Sequence, residues 1–422
     1  MLQALILFAL TYIAMLLLPR WRPLVALISA ALFVLTGMLP LGDALASIDF
    51  NVLLMIAGTM GTVALVIESQ LPYLLSDIII EHVPNVKWAI VILALFAGVI
   101  SAFIDNVATV LMVAPIAVAM AKRLDISPVR MVIAISVASN LQGAATLVGD
   151  TTSILLGSYA NMSFNDFFWY HGRPGIFFAV ELGAVGASLV LLFLMRRENA
   201  PVLAGTRTVV TDYVPGLLLL ATILLLIVAS LFPARPALTN GVICVGVMFI
   251  GAVYSAVRKK SLRALLLPFR EIDYLTILLL FGLFVVVGGI TEMGVVDAIA
   301  QLLARLGSGN LFLIYTILIW GSVAVSAFID NIPYVATMLP VTQSLAAGLG
   351  ADPTVLYFGL LCGATLGGNL TPIGASANIT GIGILRKEGH EVTTRDFLSI
   401  GVPFTLAAVI PAYIYLWIFY GL

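Results

Sequence analysis

Charge is what this chain of 422 residues has least of: Asp, Glu, Lys and Arg together make up 10%, against 62% hydrophobic residues. A soluble protein of this length could not hide so much apolar surface, so composition excludes the soluble classes. Cysteine is nearly absent. Cys244 and Cys362 lie in separate apolar runs, too few for a disulfide framework or a thiolate metal site, and they read as small core hydrophobes. There are three histidines, and His171 and His390 fall in polar loops. With a net charge of −1 there is no basic face for a nucleic-acid partner. No HExxH, GxSxG, P-loop or cysteine-metal spacing occurs. The expectation is therefore no enzyme, no cofactor, no resident metal and no nucleotide-driven pump.

What the chain does have is many runs reaching the ~20 apolar residues that cross a bilayer. They are long and rich in Leu, Ile, Val and Ala rather than alternating over about ten residues, so a β-barrel is excluded in favour of an all-α polytopic membrane protein. Met1 to Leu18 has neither a basic start nor an A-x-A-like site and is expected to be a retained helix.

Inside this apolar sequence one phrase is written twice. Ser101-Ala102-Phe103-Ile104-Asp105-Asn106 returns as Ser326-Ala327-Phe328-Ile329-Asp330-Asn331, 225 positions later. The register persists: Val110 and Pro115 fall on Val335 and Pro340, and Gly143, Thr146, Gly149 and Ile154 fall on Gly368, Thr371, Gly374 and Ile379. This reads as a duplication. In the first repeat, 1–195, helices cover about 2–18, up to Met38, and 50–68 opened by Ile48-Asp49-Phe50, with a short loop over 41–48 and a surface segment over 70–86. A re-entrant hairpin follows at 88–121, then a broken helix at 129–159 and a helix at 174–195. Residues 196–212 form a polar linker. The second repeat, 213–422, has helices at 213–232 and 237–256, a basic loop from Arg258 to Arg270 and a helix ending near Glu292. It closes with a hairpin at 310–350, a broken helix at 353–385 and a helix at 397–420. Scaffold helices thus occupy 1–68 and 213–292. Five crossings and one hairpin per half is an odd count, so the halves are expected to stand inverted, with breaks at the midplane.

Charge tests this topology independently. Threaded so, 17 of the 20 Lys and Arg fall on one side, and Arg173, Arg235 and Arg305 on the other. The positive-inside rule makes the first side cytoplasmic, which puts both termini on the non-cytoplasmic side of the cell inner membrane.

The chemistry concentrates at the repeated phrase and the two breaks. An intramembrane carboxylate is costly and normally faces a partner, a cavity or an ion path. Asp105 and Asp330 therefore become candidate cation or proton sites, although each would also cap a hairpin turn. Asn106 and Asn331 offer an acceptor and donors, so with the two aspartates they suit Na⁺ coordination or oxoacid binding. The first break, from Ser139 to Ser153, adds Asn140, Thr146, Asp150 and Thr151, with Thr109 nearby on the hairpin. The second adds Asn369, Thr371, Ser376 and Asn378. Broken helices present free backbone donors and acceptors, and Gly143, Gly149, Gly368 and Gly374 permit close backbone approach or a positive φ. Asp150 aligns with Ala375 and is the carboxylate without a mate, a candidate coupling residue or else a helix cap. Glu181 is a further intramembrane carboxylate. Asp49, Asp273, Glu68 and Glu292 sit at helix ends, where capping is the expectation.

The hairpin tip Phe103-Ile104-Asp105-Asn106 with Thr109, the break Gly143-Ala144-Ala145-Thr146-Leu147-Val148-Gly149-Asp150, the segment Asp330-Asn331-Ile332-Pro333 and Ile48-Asp49-Phe50 resemble the ArsB/NhaD permease family. That family is grouped in the ion-transporter superfamily with the divalent-anion/sodium symporters and the melanosomal P protein. The resemblance covers nearly the whole chain. It implies a mobile unit of hairpins and broken helices moving like an elevator against a scaffold, often as a homodimer. In the symporter branch the tips carry Ser-Asn-Thr; here Asp105-Asn106-Val107 and Asp330-Asn331-Ile332 replace a hydroxyl by a carboxylate. Gly149-Asp150-Thr151-Thr152 stands where many relatives have Gly-Asp-Pro-Pro. The resulting expectation is a secondary active transporter, first of all a proton-coupled exporter of arsenite- or antimonite-type oxoacid, which would bring a soluble ATPase partner if it were an arsenite pump. The alternatives are a sodium/proton antiporter and a sodium-coupled symporter of inorganic anions or dicarboxylates.

Overall fold

The structure, a computed structural model, describes residues 1–202, 207–232 and 236–422. The middle of the 196–212 linker and Arg235, one of the three cations assigned to the sparse side, lie outside the described residues. Among these, twenty α-helices fall into two successive sets of ten. The first is α1 Leu2–Leu17, α2 Arg22–Leu35, α3 Leu41–Ala46, α4 Phe50–Glu68, α5 Leu71–Glu81, α6 Val86–Ser101, α7 Asn106–Arg123, α8 Val129–Gly143, α9 Thr151–Tyr159 and α10 Ile176–Leu194. The second is α11 Val214–Ser230, α12 Thr239–Lys259, α13 Leu262–Arg270, α14 Tyr274–Glu292, α15 Val295–Leu306, α16 Leu311–Ser326, α17 Asn331–Leu349, α18 Thr354–Gly367, α19 Ser376–Lys387 and α20 Thr394–Leu416. Between α9 and α10 a two-residue hairpin pairs Trp169–Tyr170 with Arg173–Pro174.

Helix starts are written by side chains that satisfy free backbone N–H groups, and these caps recur with the 224- or 225-residue offset. Asp49 accepts from Val52 N at 3.1 Å and Asp273 from Leu275 N at 3.1 Å. Asn85 accepts from Trp88 N at 3.2 Å and Asn310 from Leu313 N at 3.1 Å. A capping box between Thr393 and Asp396 starts α20 three residues before the expected 397.

Two stretches expected as loop, and the expected surface segment 70–86, contain helices. Residues 41–48 contain α3, 70–86 contain α5, and the basic segment 258–270 contains α13. In each, prolines or charges interrupt what would be an apolar run. The alternation instead suits a short amphipathic helix with one polar face. Pro72 sits in the first turn of α5, where its missing N–H costs nothing.

Packing crosses between the two sets. α4 lies on α12, and α2 on α14. These backbones touch through glycine: a Cβ on Gly58 would fall 2.5 Å from Val245 N, and one on Gly282 would fall 2.7 Å from the Ala26 carbonyl carbon. Small residues at such crossings let helices close up where no hydrophobic drive distinguishes helix from lipid. α10 and α20 meet in the same way, with Gly183 and Gly186 against the carbonyls of Ala408 and Ala407. The remaining helices form a second cluster in which α6 packs on α8, α16 on α18, α7 on α19 and α9 on α17. Six helices are long and apolar enough to cross a bilayer, eight if each of two bent pairs counts once, among the described residues. The broken helices pass no such test singly, because each segment covers only part of the thickness.

Gly58→Ala is expected to destabilise the protein by about 1–3 kcal/mol through overpacking at α12. Gly246→Ala, on an open face of the same helix with nothing within 4 Å, is expected to be neutral or mildly stabilising. Thermal unfolding of the detergent-solubilised protein separates the two.

Candidate functional site

The site is assembled where four segments stop short. α6 and α16 end at the tips of two hairpins, and α8 and α18 end at Gly143 and Gly367 before short breaks, the second opening with a 3₁₀ turn over Gly368–Leu370, lead into α9 and α19. Each break is tied to its own hairpin tip by one pattern. Thr146 Oγ1 donates to Ala102 O, and Thr371 Oγ1 donates to Ala327 O. Gly149 lies against the carbonyls of Ser101 and Ala102, and Gly374 against those of Ser326 and Ala327, so that an added Cβ would fall 2.9 Å from each of the four oxygens. None of Gly143, Gly149, Gly368 and Gly374 has a positive φ. Close approach, not left-handed backbone, explains these glycines.

The breaks are also tied to each other. Asn140 Nδ2 donates to Asn369 Oδ1 at 2.8 Å and to Asn378 Oδ1 at 2.9 Å. Asn369 in turn donates to Val137 O at 2.9 Å, and Asn378 to Gly368 O at 3.0 Å. At the position matching Asn378, Ser153 Oγ donates to Gly143 O at 3.0 Å. These amides therefore satisfy backbone groups that the interrupted helices leave open.

Beside this knot lies a cavity of about 440 Å³. Asp105, Asn106, Asn140, Asp150, Thr151, Asn331 and Ser376 line it. Thr109, Thr146, Asn369, Thr371 and Asn378, also singled out from the sequence, do not. Thr109 is buried and its hydroxyl has no partner; the others hold backbone. Asp105 caps α7, accepting from Val107 N at 3.0 Å and Ala108 N at 3.2 Å. Asn106 is fixed by Ser101 Oγ, which donates to its Oδ1 at 2.8 Å. Asp150 occupies the capping position of α9 without bonding that helix's backbone. Instead its Oδ2 accepts from Thr152 Oγ1 at 2.6 Å and from Asn331 Nδ2, across the halves, at 3.2 Å.

Asp330 departs from its mate. It was expected to share one cation site with Asp105, Asn106 and Asn331, but it does not line the cavity. Arg22 at the start of α2 donates to Asp330 Oδ2 at 3.0 Å, with Ser376 Oγ at 3.3 Å. Its charge is thus neutralised, whereas among the described residues no cation bonds Asp105. Tyr12 OH reaches the same hairpin, donating to Pro333 O at 2.6 Å. Arg22 read from sequence as part of a basic turn, and nothing local announces a partner 308 residues away. Glu68, Glu271 and Asp273 also line the cavity, and among the described residues no Lys, Arg or His does. Lys259 meets Glu68 at 2.6 Å from outside. Glu271 lies between the basic loop, expected to end at Arg270, and the helix opened by Ile272-Asp273, and carried no signal of its own.

A second cavity, of about 1040 Å³, is lined by Asp49, Phe284, Val287 and Glu292. These stand 224 residues from Asp273, Met60, Val63 and Glu68 of the first. It reaches neither Asp105 nor Asp150. Ser158 of α9 bonds Asp49 at its wall. The polar site thus opens into one of two matching cavities.

A polytopic helical chain with a buried polar site between broken helices belongs to the class of secondary transporters. A family profile described as "Citrate transporter" matches residues 6–363, and the chain belongs to this family, CitMHS. Relatives include two uncharacterized transporters of Mycobacterium tuberculosis. One is 34% identical over 340 residues, covering 78% of this chain and 76% of the relative. The other is 31% identical over 409 residues, covering 94% and 93%. The human P protein is 25% identical over 396 residues, covering 75% of this chain and 47% of that protein. The family shown is CitMHS, in the same ion-transporter superfamily as the P protein. Among solved structures, the YdaH transporter of Alcanivorax borkumensis, described as having an unusual topology, superimposes with a TM-score of 0.62 at 14% identity, covering 96% of this chain and 98% of that one. MtrF of Neisseria gonorrhoeae, described within a class of antimetabolite efflux pumps, gives 0.58 at 14%, covering 93% and 85%. These two show the fold alone.

Asn140→Ala deletes two bonds and leaves two buried amide oxygens without a donor, at about 1–3 kcal/mol each. A markedly lower melting temperature is expected, whereas Thr109→Val, which removes a hydroxyl that bonds nothing, is expected to leave it nearly unchanged.

Proposed function

We propose that this chain carries a polycarboxylate of the citrate type across the membrane in company with a cation, with the cavity at Asp105 and Asp150 as the cargo site. The observation that carries this reading is the lining: Asp105, Asp150, Glu271 and Asp273 with no basic side chain among them. A cargo carboxylate about 5 Å from one such aspartate would be repelled by roughly 3 kcal/mol at an effective dielectric of 20. A free polyanion is therefore disfavoured. A cation held between cargo and protein reverses the sign, and Asp105, Asn106, Asp150 and Asn331 supply the oxygen ligands that sodium or a divalent ion takes.

In this reading the halves stand inverted in the inner membrane with both termini on the non-cytoplasmic side, and the first helices of each half form a scaffold, homodimeric as in the permeases the motifs resemble. The hairpins and broken helices move against it and expose the site in turn to the two cavities. Matching cavities of which one reaches the site support such alternation.

A second reading is favoured by Asp105 and Asp150 lining the site without a cationic partner: protons alone balance them, and the carrier exchanges protons for sodium or for a neutral oxoacid such as arsenite.

Proteoliposome transport decides. Radiolabelled citrate uptake is expected to require sodium or a divalent ion, and Asp150→Asn is expected to lower it by at least about tenfold, the worth of roughly 1.4 kcal/mol in a lost charged ligand. Citrate uptake indifferent to chelator and to sodium would overturn the first reading. Sodium- or arsenite-driven proton flux without citrate would establish the second.

A further inference from the structure

α13 carries a charge pattern that neither the cargo cavity nor the helix packing uses. The helix joins the ends of α12 and α14, both long and apolar enough to cross a bilayer. At 1.5 Å per residue it reaches only about 14 Å, too short to cross. A linker of this kind lies along the membrane surface. Its inner side rests on α4 and α12. Ala264 and Pro268, one turn apart, are buried there, and a Cβ on Gly61 of α4 would fall 3.2 Å from Pro268 O.

The other side has no partner among the described residues. Leu262, Arg263, Leu266 and Arg270 fall within about 100° of helix arc, and all four are exposed, Leu262 by 74%. Five cations stand between positions 258 and 270. Two are engaged: Arg258 pairs with Asp212, and Lys259 meets Glu68 at 2.6 Å. Lys260, Arg263 and Arg270 meet no carboxylate among the described residues. The acids next in sequence, Glu271 and Asp273, line the cargo cavity instead. The fold does not need these cations. α3 ends two residues before Ile48-Asp49-Phe50 as α13 ends two before Ile272-Asp273-Tyr274, and α3 has exposed leucines, Leu41 and Leu45, but Asp43 as its one charge.

We propose that the outward face of α13 binds an anionic phospholipid of the surrounding leaflet. Arg263 and Arg270 hold the headgroup phosphate, and Leu262 and Leu266 lie against the acyl chains. Guanidinium forks match phosphate oxygens, and an anionic leaflet attracts basic segments at its surface. A second copy of the chain presenting the same face would set cation against cation. The lipid sits one helix away from the cargo, because Leu267 of α13 and Glu271 at its end line the cargo cavity. Which leaflet supplies the lipid, the cytoplasmic one, rests on the topology proposed above; the binding does not.

Native mass spectrometry of the full-length protein in neutral detergent, titrated with dioleoylphosphatidylglycerol or dioleoylphosphatidylcholine, tests the site. The wild type is expected to bind the first phosphatidylglycerol at least about fivefold more tightly than phosphatidylcholine. Arg263→Gln/Arg270→Gln is expected to lose that preference, since one cation beside an anionic surface is worth about fivefold. Arg386→Gln/Lys387→Gln removes the same charge from the exposed end of α19 and is expected to keep it. Equal loss in this control pair, or a preference untouched by Arg263→Gln/Arg270→Gln, refutes the site. The same spectra report the oligomeric state: a dimer lost in Arg263→Gln/Arg270→Gln with phosphatidylglycerol binding intact assigns the face to a second copy and also refutes it. Should the double variant fail to fold, Arg263→Gln alone is expected to lower the preference by about fivefold, and an unchanged preference decides against the proposal. None of these outcomes depends on whether citrate is transported.

Discussion

Backbone that stops being helical inside an apolar slab must find its hydrogen bonds within the protein, since lipid offers none. That constraint governs the centre of this molecule. The two interruptions sit side by side. Asn140 reaches across to Asn369 and Asn378, and these amides pass the connection on to main-chain carbonyls. Thr146 and Thr371 pin each interruption to a hairpin tip. The polar site is what remains at the edge of this knot once its backbone has been satisfied.

Electrostatics then separates halves that are otherwise alike. The hairpin tips share a spelling, a capping geometry and a glycine contact, yet one aspartate faces a cavity and the other faces Arg22. Asp150 adds a carboxylate in one half only, held by Asn331 from the other. Such unequal charges give the two hairpin tips different electrostatic surroundings.

The clasp on the second hairpin also has a mechanical side. Tyr12 and Arg22 belong to the first two helices, and both hold the start of α17. The exposed parts of the chain are tied by ordinary surface pairs. Arg207 on the linker holds the Glu81 carboxylate below its usual range through direct hydrogen bonds, and Lys122 does the same to Glu388. Such exposed pairs contribute little stability and mainly locate segments.

The sequence by itself determined the membrane class, the breaks and their glycines, because apolar run length and a recurring motif are local properties that need no partner. It also singled out Asp105, Asn106 and Asn331 from the repeated phrase and Asp150 from the first break, all four of which line the cavity, but it grouped Asp330 with them, which does not. It hid the short helices α3, α5 and α13, whose one-sided polarity looks like loop until a neighbour covers the apolar side. Which of the chosen residues face the cavity and which hold backbone was decided only by the tertiary structure. So was the pairing of Arg22 with Asp330. A hydrogen bond between residues tens or hundreds of positions apart leaves no trace in either local segment, and the direction of a side chain is set by the helix packed against it.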